Sequence, residues 1–427
     1  IVFGFLLDWG LTNFINRELA AKRYDLHQQL GSFLLVKFLF ALVYVLITVA
    51  VAFLSGVKRW DILTGVMVIQ FLTFLFVFFR SVVTANQWFT TDSWLSVLDK
   101  MLMIAACSVL IFLPSFLGPI TIQKFLVAQI ASSSIAIISC IIILLARGIV
   151  IRKPNLKLFN RGILLSALPF AITVFLMSIH VRLDGFLLER IHRNGPHEAG
   201  IYAAAYRLLD VSNMVGYLIS SFFMPYIARL WSEGRSVQQP TLQTRHLQLM
   251  FAVTIAAITI VLAPWLQKIL YHRIDPYGVK ILQWCLPALI GYAFVQVYGT
   301  VMTATGGIGA FCMLNFFAVG VNVVMNLFLI PRYGAFGCCI SALCSQLLLG
   351  ITTMVSVHKK MKTEVDNRSL ILYFAYGGLL LAGLYALLKV HVSTGFLLPI
   401  AVAATFLFMS FSNMISLNNW GSFVKKQ

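Results

Sequence analysis

The chain alternates between long apolar runs and short polar connectors over its whole length. Thirteen runs stand out, at about 1–20, 32–54, 62–88, 93–113, 120–145, 162–188, 201–230, 247–271, 279–302, 311–330, 337–358, 370–388 and 396–415. Each approaches the ~20 apolar residues with which a helix crosses a bilayer. None alternates every second residue, as the strands of a membrane barrel do. The pattern therefore predicts an all-α polytopic membrane protein. Pro169, Pro225, Pro264, Pro287, Gly291 and Gly320 fall inside runs. They read either as close helix-packing positions or as the helix breaks that transporters place at binding sites.

Composition supports the membrane assignment. The sequence is 60% hydrophobic and 11% charged, where soluble domains are about half apolar and a quarter charged. The net charge of +18 does not point to nucleic acid, because the basic residues concentrate in the connectors. With the connectors after the odd-numbered runs and the C-terminal tail on one side, that side holds 17 lysines and arginines and the other holds 9. The first side is thus expected to be cytoplasmic. The sequence opens inside an apolar run without a methionine, so one earlier span is expected, for fourteen in all. The basic connector 147–161 divides the chain into an N-terminal lobe (1–146) and a C-terminal lobe (162–358), followed by two additional helices and a tail (359–427). The seven cysteines show no metal or redox spacing and read as buried free thiols. No nucleotide-binding, zinc-protease or hydrolase motif occurs, so neither an enzyme nor a cofactor or metal site is expected.

Ionisable residues inside apolar runs are costly and mark function. The segment His180–Met214 holds four: Arg182, Asp184, Arg207 and Asp210. Arg207 and Asp210 are three apart and can pair on one helix or serve a cavity. His180 and Asp184 share a helix face. Arg182 points about 200° away from both and needs a partner elsewhere. Lys37 and Arg80 have no acidic residue at helical spacing. Lys37 can snorkel to the interface, whereas Arg80 lies deeper. Asp8 has Thr12 on its face. The balance inside the runs leans positive, which suits a phosphate or diphosphate held by guanidinium groups.

Three stretches carry a family resemblance. LLDWGLTNFINRELAAKR (Leu6–Arg23) resembles a helix of polysaccharide exporters that reads D-x-G-L…R-E-x-A. VRLDGFLLE followed by HEAGIYAAAYRLLD, with Pro225 further on, resembles their D-x-x-L-L and G-x-Y-x-x-A-Y-R segments. PRYGAFGCCISALCSQ (Pro331–Gln346) resembles their P-x-x-G-x-x-G-A-A-x-A-T turn, with two cysteines at positions usually held by small residues. The likeness spans essentially the whole chain. It points to Wzx-type oligosaccharide flippases of the multidrug/oligosaccharidyl-lipid/polysaccharide exporter superfamily.

The resemblance implies fourteen helices, with two six-helix lobes around a central cavity and two extra C-terminal helices. It further implies translocation of a polyprenyl-diphosphate-linked oligosaccharide across a bacterial plasma (inner) membrane for surface polysaccharide biosynthesis, with polysaccharide polymerase machinery as a candidate partner. In this reading Arg182, Asp184, Arg80, Arg207 and Lys37 are candidate contacts to the cargo, and Asp184, Asp210 and Asp8 are candidates for ion coupling. Two alternatives stand beside it. One is a multidrug or cation antiporter of the same superfamily, whose cavity would be acidic or aromatic. The other is a flippase for a peptidoglycan precursor or teichoic acid.

Overall fold

A continuous apolar run forms one helix only where its backbone can stay helical, and the first run cannot. In the structure, a computed structural model describing residues 5–20, 26–54, 56, 58–112, 121–149, 161–272, 274–363 and 366–412, it becomes two short helices. These are α1 (Phe5–Asp8) and α2 (Leu11–Ala20). Trp9 (φ +44°) and Gly10 (φ +67°) interrupt them. The glycine is required twice, for its positive φ and because a Cβ there would lie 2.4 Å from the backbone nitrogen of Ala171.

The other twelve runs form long helical segments. They are α3 (Leu26–Leu54), α4 (Trp60–Ala85), α5 (Phe89–Phe112), α6 (Ile122–Ala146), α7 (Arg161–Ile191), α8 (Gly195–Ser232) and α9 (Gln238–Tyr271). One span is then assembled from α10 (Pro276–Cys285), α11 (Ala288–Phe294), a π turn (Val295–Gly299) and α12 (Thr300–Ala304). The remainder are α13 (Ile308–Tyr333), α14 (Ala335–Met361), α15 (Asn367–Lys389) and α16 (Thr394–Phe411). Among the described residues, eleven spans are long and apolar enough to cross a membrane. They number twelve when Leu168–His180 and Arg182–Ile191, which meet at a 43° bend within α7, count as one. The protein is a multi-pass, all-α membrane protein. The count falls below thirteen because the Trp9–Gly10 break leaves the first run too short.

Local chemistry sets the helix ends. Asp275 accepts from the N–H groups of Tyr277 (3.2 Å) and Gly278 (3.0 Å), with Pro276 at the first helical position, where its missing N–H has no cost. Large apolar side chains stay exposed on the long helices, such as Phe53 (76%), Phe112 (79%) and Phe374 (84%). Exposure on this scale fits contact with lipid and would be an aggregation hazard in water.

The described chain forms two compact units. The first comprises Ile1–Phe175 and Met224–Gly234, and the second comprises Leu176–Phe223 and Arg235–Gln427. In the first, α4 packs most extensively on α6 and also on α2, around Phe78, Val82, Val83, Ala136 and Cys140. In the second, α14 packs on α13 and α11. Gly291 and Gly350 permit the α11–α14 approach, since a Cβ on either would come within 2.8 Å of atoms across the interface; small residues commonly let membrane helices meet this closely. Most of the basic connector expected to divide the chain, at 150–160, lies outside the described residues, as do Lys22, Arg23 and 413–427.

The turn between α13 and α14 explains two sequence motifs together. Gly334 has φ +56° and ψ −133°, a region open to glycine alone. Beside it, Glu198 accepts from the Ala335 N–H (2.8 Å) and the Tyr277 hydroxyl (2.8 Å). A Cβ on Gly334 would sit 2.4 Å from the Glu198 carboxylate. Gly334→Ala should therefore lose about 1–3 kcal/mol from backbone strain alone, and more from displacing Glu198. Gly306→Ala supplies the control, because Gly306 also has positive φ (+85°) but open space around its Cβ position. Thermal unfolding of the solubilised protein should shift more for Gly334→Ala, and equal shifts would disprove the Glu198 contribution.

Candidate functional site

Four helices of the second unit converge on Asp184. His180, Asp184 and Leu188 recur every fourth residue of α7 and are all buried, with Asp184 1% exposed. One carboxylate oxygen accepts from Asn326 Nδ2 at 2.6 Å, and the other accepts from the Tyr202 hydroxyl of α8 at 3.1 Å. Asn326 Nδ2 also donates to Asn322 Oδ1 (3.1 Å), and Asn322 Nδ2 donates to Ser345 Oγ (3.4 Å). His180 Nε2 shares a 2.8 Å hydrogen bond with the same Ser345 hydroxyl. Next to this chain, the rings of Tyr202 and Tyr206 lie 5.4 Å apart, and the Tyr206 and Tyr292 hydroxyls are 3.0 Å apart.

The groups acting directly on the Asp184 carboxylate, Asn326, Asn322 and Tyr202, are all neutral. Among the described residues no basic side chain forms an ion pair with it. A bare carboxylate in an apolar interior is strongly disfavoured; it is relieved by a proton, a bound cation or a partner. Among the described residues, the buried Asn326 Oδ1 likewise has no hydrogen-bond partner. The Asp184 carboxylate, lined by neutral hydrogen-bond donors, is the kind of group that suits a proton or a hard cation.

The asparagines have a legible origin. Asn315, Asn322 and Asn326 occupy one face of the apolar helix α13 at spacings of seven and four, and each is 0% exposed. That periodicity was the available sequence signal for the network, and attention to charged residues alone passes over it.

The remaining candidates separate by place and partner. Arg182 is exposed, on the face of α7 opposite Asp184, as the helical spacing predicts. Asp210 on α8 is half-buried and within electrostatic reach of Arg182. Arg207 is exposed and forms no ion pair with Asp210 among the described residues. In the first unit, Lys37 does not snorkel. It is 2% exposed, ion-paired with Asp8, 3.1 Å from Thr12 Oγ1 and 5.2 Å from the centre of the Phe78 ring. Thr12 also donates to Asp8. Arg80 meets Asp92 in a two-pronged pair, with Nε to Oδ1 at 2.7 Å and Nη2 to Oδ2 at 2.8 Å. Asp92 is 1% exposed. It escapes a within-helix search because it lies twelve residues from Arg80, across the α4–α5 turn.

Arg245 is not a connector residue. It sits inside α9, 0% exposed, and donates to the Tyr298 hydroxyl (3.2 Å), Asp366 (3.2 Å) and Ser369. Burial would raise the Asp366 carboxyl, but hydrogen bonds from Ser369 and the charge of Arg245 outweigh it and hold the group below the usual carboxylate range. Among the described residues, the buried charged side chains do not lean positive, with Lys37 and Arg245 against Asp8, Asp92 and Asp184. Lys37, Arg80 and Arg245 each have a carboxylate partner, and Asp184 has no basic one.

No protein-family model matches this sequence, and no curated protein matches it either. Solved structures do match in fold. A MATE transporter from Vibrio cholerae, VcmN, in a single-substitution form, is 19% identical with a TM-score of 0.68 over 87% of each chain. An outward-facing multidrug resistance MATE family transporter of the MOP superfamily is 14% identical with a TM-score of 0.69, over 85% of this chain and 84% of that one. A further MATE transporter is 14% identical with a TM-score of 0.68 over 84% of each chain. The protein has the fold of MATE transporters.

Proposed function

We propose that this protein is a cation-coupled exporter in which Asp184 takes up and releases the driving proton or metal cation. The observation that carries this reading is the buried carboxylate of Asp184, surrounded by neutral donors and accompanied by an unsatisfied asparagine oxygen. Ionisable groups of this kind within spans are characteristic of proton and ion relays. Asp210 and Asp8 are weaker coupling candidates, since Arg182 lies within reach of the first and Lys37 is paired with the second.

Two cargo readings remain, each with its own support. Export of cationic solutes is favoured by the fold likeness to a multidrug resistance transporter, by the cancellation of buried positive charge, and by the Tyr202, Tyr206 and Tyr292 cluster beside Asp184. Export of a polyprenyl-diphosphate-linked oligosaccharide is favoured by the sequence motifs around Asp8, Asp184 and Gly334. In that reading Arg182 and Arg207, both exposed, contact the diphosphate directly. Lys37 and Arg80 contribute only after releasing Asp8 and Asp92.

Proteoliposomes distinguish these readings. An imposed proton or sodium gradient should drive movement of either a cationic dye such as ethidium or a fluorescent lipid-linked oligosaccharide. Dye movement alone selects the antiporter, and transfer of the labelled lipid alone selects the flippase. If neither cargo responds to either gradient, the coupled-export reading fails.

A further inference from the structure

Arg147 of the first unit is held but not neutralised. Its guanidinium stacks over Trp88, 4.3 Å from the ring centre, and donates to Thr91 Oγ1 at 2.8 Å. Unlike Arg80, Arg229 and Arg245, it forms no ion pair among the described residues. Stacking fixes the plane of a guanidinium and leaves its edge free for paired hydrogen bonds. Because Thr91 accepts from Arg147, its own hydroxyl proton remains available to a second acceptor. Both residues lie at the mouth of a cleft of about 730 Å³ between α5 and the end of α6. Apart from Thr90 beside them, the rest of the cleft is apolar, with Trp94, Leu98, Met101 and Ile143 in its wall, and Trp94 is 77% exposed. A single cation at one end of an apolar cleft between two spanning helices matches the two ends of a lipid molecule. The charge distribution along the chain assigns this end of α5 and α6 to the cytoplasmic side, where anionic lipids attract basic residues at the membrane surface.

We propose that this cleft binds a membrane phospholipid with an anionic headgroup. The phosphate rests on the Arg147 guanidinium and the Thr91 hydroxyl, and one acyl chain lies along Trp94, Leu98, Met101 and Ile143. The site is independent of the cargo and of Asp184.

Native mass spectrometry of the full chain in mild detergent tests the proposal, with phosphatidylglycerol and phosphatidylcholine of identical acyl chains as probes. Both lipids offer the phosphate, but the choline of phosphatidylcholine adds a positive charge beside the Arg147 guanidinium, so phosphatidylglycerol should be retained about tenfold more strongly, the scale of ~1.4 kcal/mol of like-charge repulsion. Arg147→Gln should abolish that preference, and because the side chain is exposed, folding should be unaffected. Leu98→Trp, which fills the cleft and leaves the arginine in place, should weaken retention of both lipids. Arg59→Gln, an exposed arginine already paired with Asp61, should change nothing. Equal retention of the two lipids, or a preference that survives Arg147→Gln, overturns the proposal. So does an equal loss in Arg59→Gln, which would indicate bulk charge, or displacement of the lipid by millimolar inorganic phosphate, which would indicate a simple anion site.

Discussion

Asp184→Asn should reduce gradient-driven transport to the level of empty vesicles while leaving the protein as stable as the wild type, or more so. The substitution keeps the shape of the side chain and its ability to accept from Asn326 at the 2.6 Å contact and to bond with Tyr202. It removes the charge and turns one acceptor oxygen into an NH2 donor, from which the Tyr202 hydroxyl oxygen can accept. Removing a buried carboxylate that lacks a basic partner relieves a desolvation penalty, so a purely structural role predicts unchanged or raised thermal stability together with intact transport. A coupling role predicts the same stability and no response to the gradient. Tyr202→Phe separates the contributions further. It deletes one hydrogen bond to the carboxylate, worth about 1 kcal/mol, and should weaken cation affinity several-fold without abolishing transport. Transport assays in proteoliposomes beside thermal unfolding provide both readouts. Gradient-dependent transport by Asp184→Asn at the wild-type rate would remove Asp184 from the mechanism.

Arg80→Ala should be among the most destabilising single changes in the first unit. It leaves the Asp92 carboxylate, 1% exposed, without its two-pronged partner, and breaking a buried pair in this way typically loses about 3–5 kcal/mol. The double change Arg80→Ala with Asp92→Ala should recover most of that loss, because no charge then remains buried. The sign of the recovery is the informative quantity. If the double variant is as unstable as the single one, packing of the arginine stem, not the charge pair, accounts for the effect. If Arg80→Ala is stable and loses transport of the lipid-linked oligosaccharide alone, Arg80 acts on the cargo. Lys37 and Asp8 form the parallel case. Lys37→Met should be destabilising with Asp8 in place and nearly neutral with Asp8→Asn, as measured in the same unfolding experiments.

Much of this architecture was legible in order along the chain. Twelve of the thirteen apolar runs became spanning segments, because a lipid-crossing helix satisfies its own backbone hydrogen bonds and announces itself by local composition alone. The facing of Arg182 away from His180 and Asp184 was equally legible, since one helix sets it through its 3.6-residue period. The first run misled for a conformational reason. Its composition is that of a span, and the interruption depends on the positive φ of Trp9 and Gly10, where the chain meets the backbone of Ala171.

The candidate site was half legible. Asp184 stood out because a carboxylate in an apolar run is rare, and the Asn322–Asn326 face was available to the same periodicity argument. What surrounds Asp184 was not available. Asn326 is 142 residues away in sequence, and nothing local states which helix packs against which. The same holds for Lys37 and Asp8, 29 residues apart, and for Arg80 and Asp92, 12 apart. Read alone, these side chains made the interior look basic.

Hydropathy along the chain therefore establishes that this is a multi-pass helical membrane protein, where most of its spans lie, and which residues carry charge within them. Which of those charges are cancelled emerges only from how the helices pack. Hydrophobic periodicity is a property of one helix, whereas an ion pair between helices depends on how they pack. That packing took the lysine and arginine candidates of the first unit into partnership with carboxylates. It left Asp184 among neutral donors, the feature on which the proposed coupling rests.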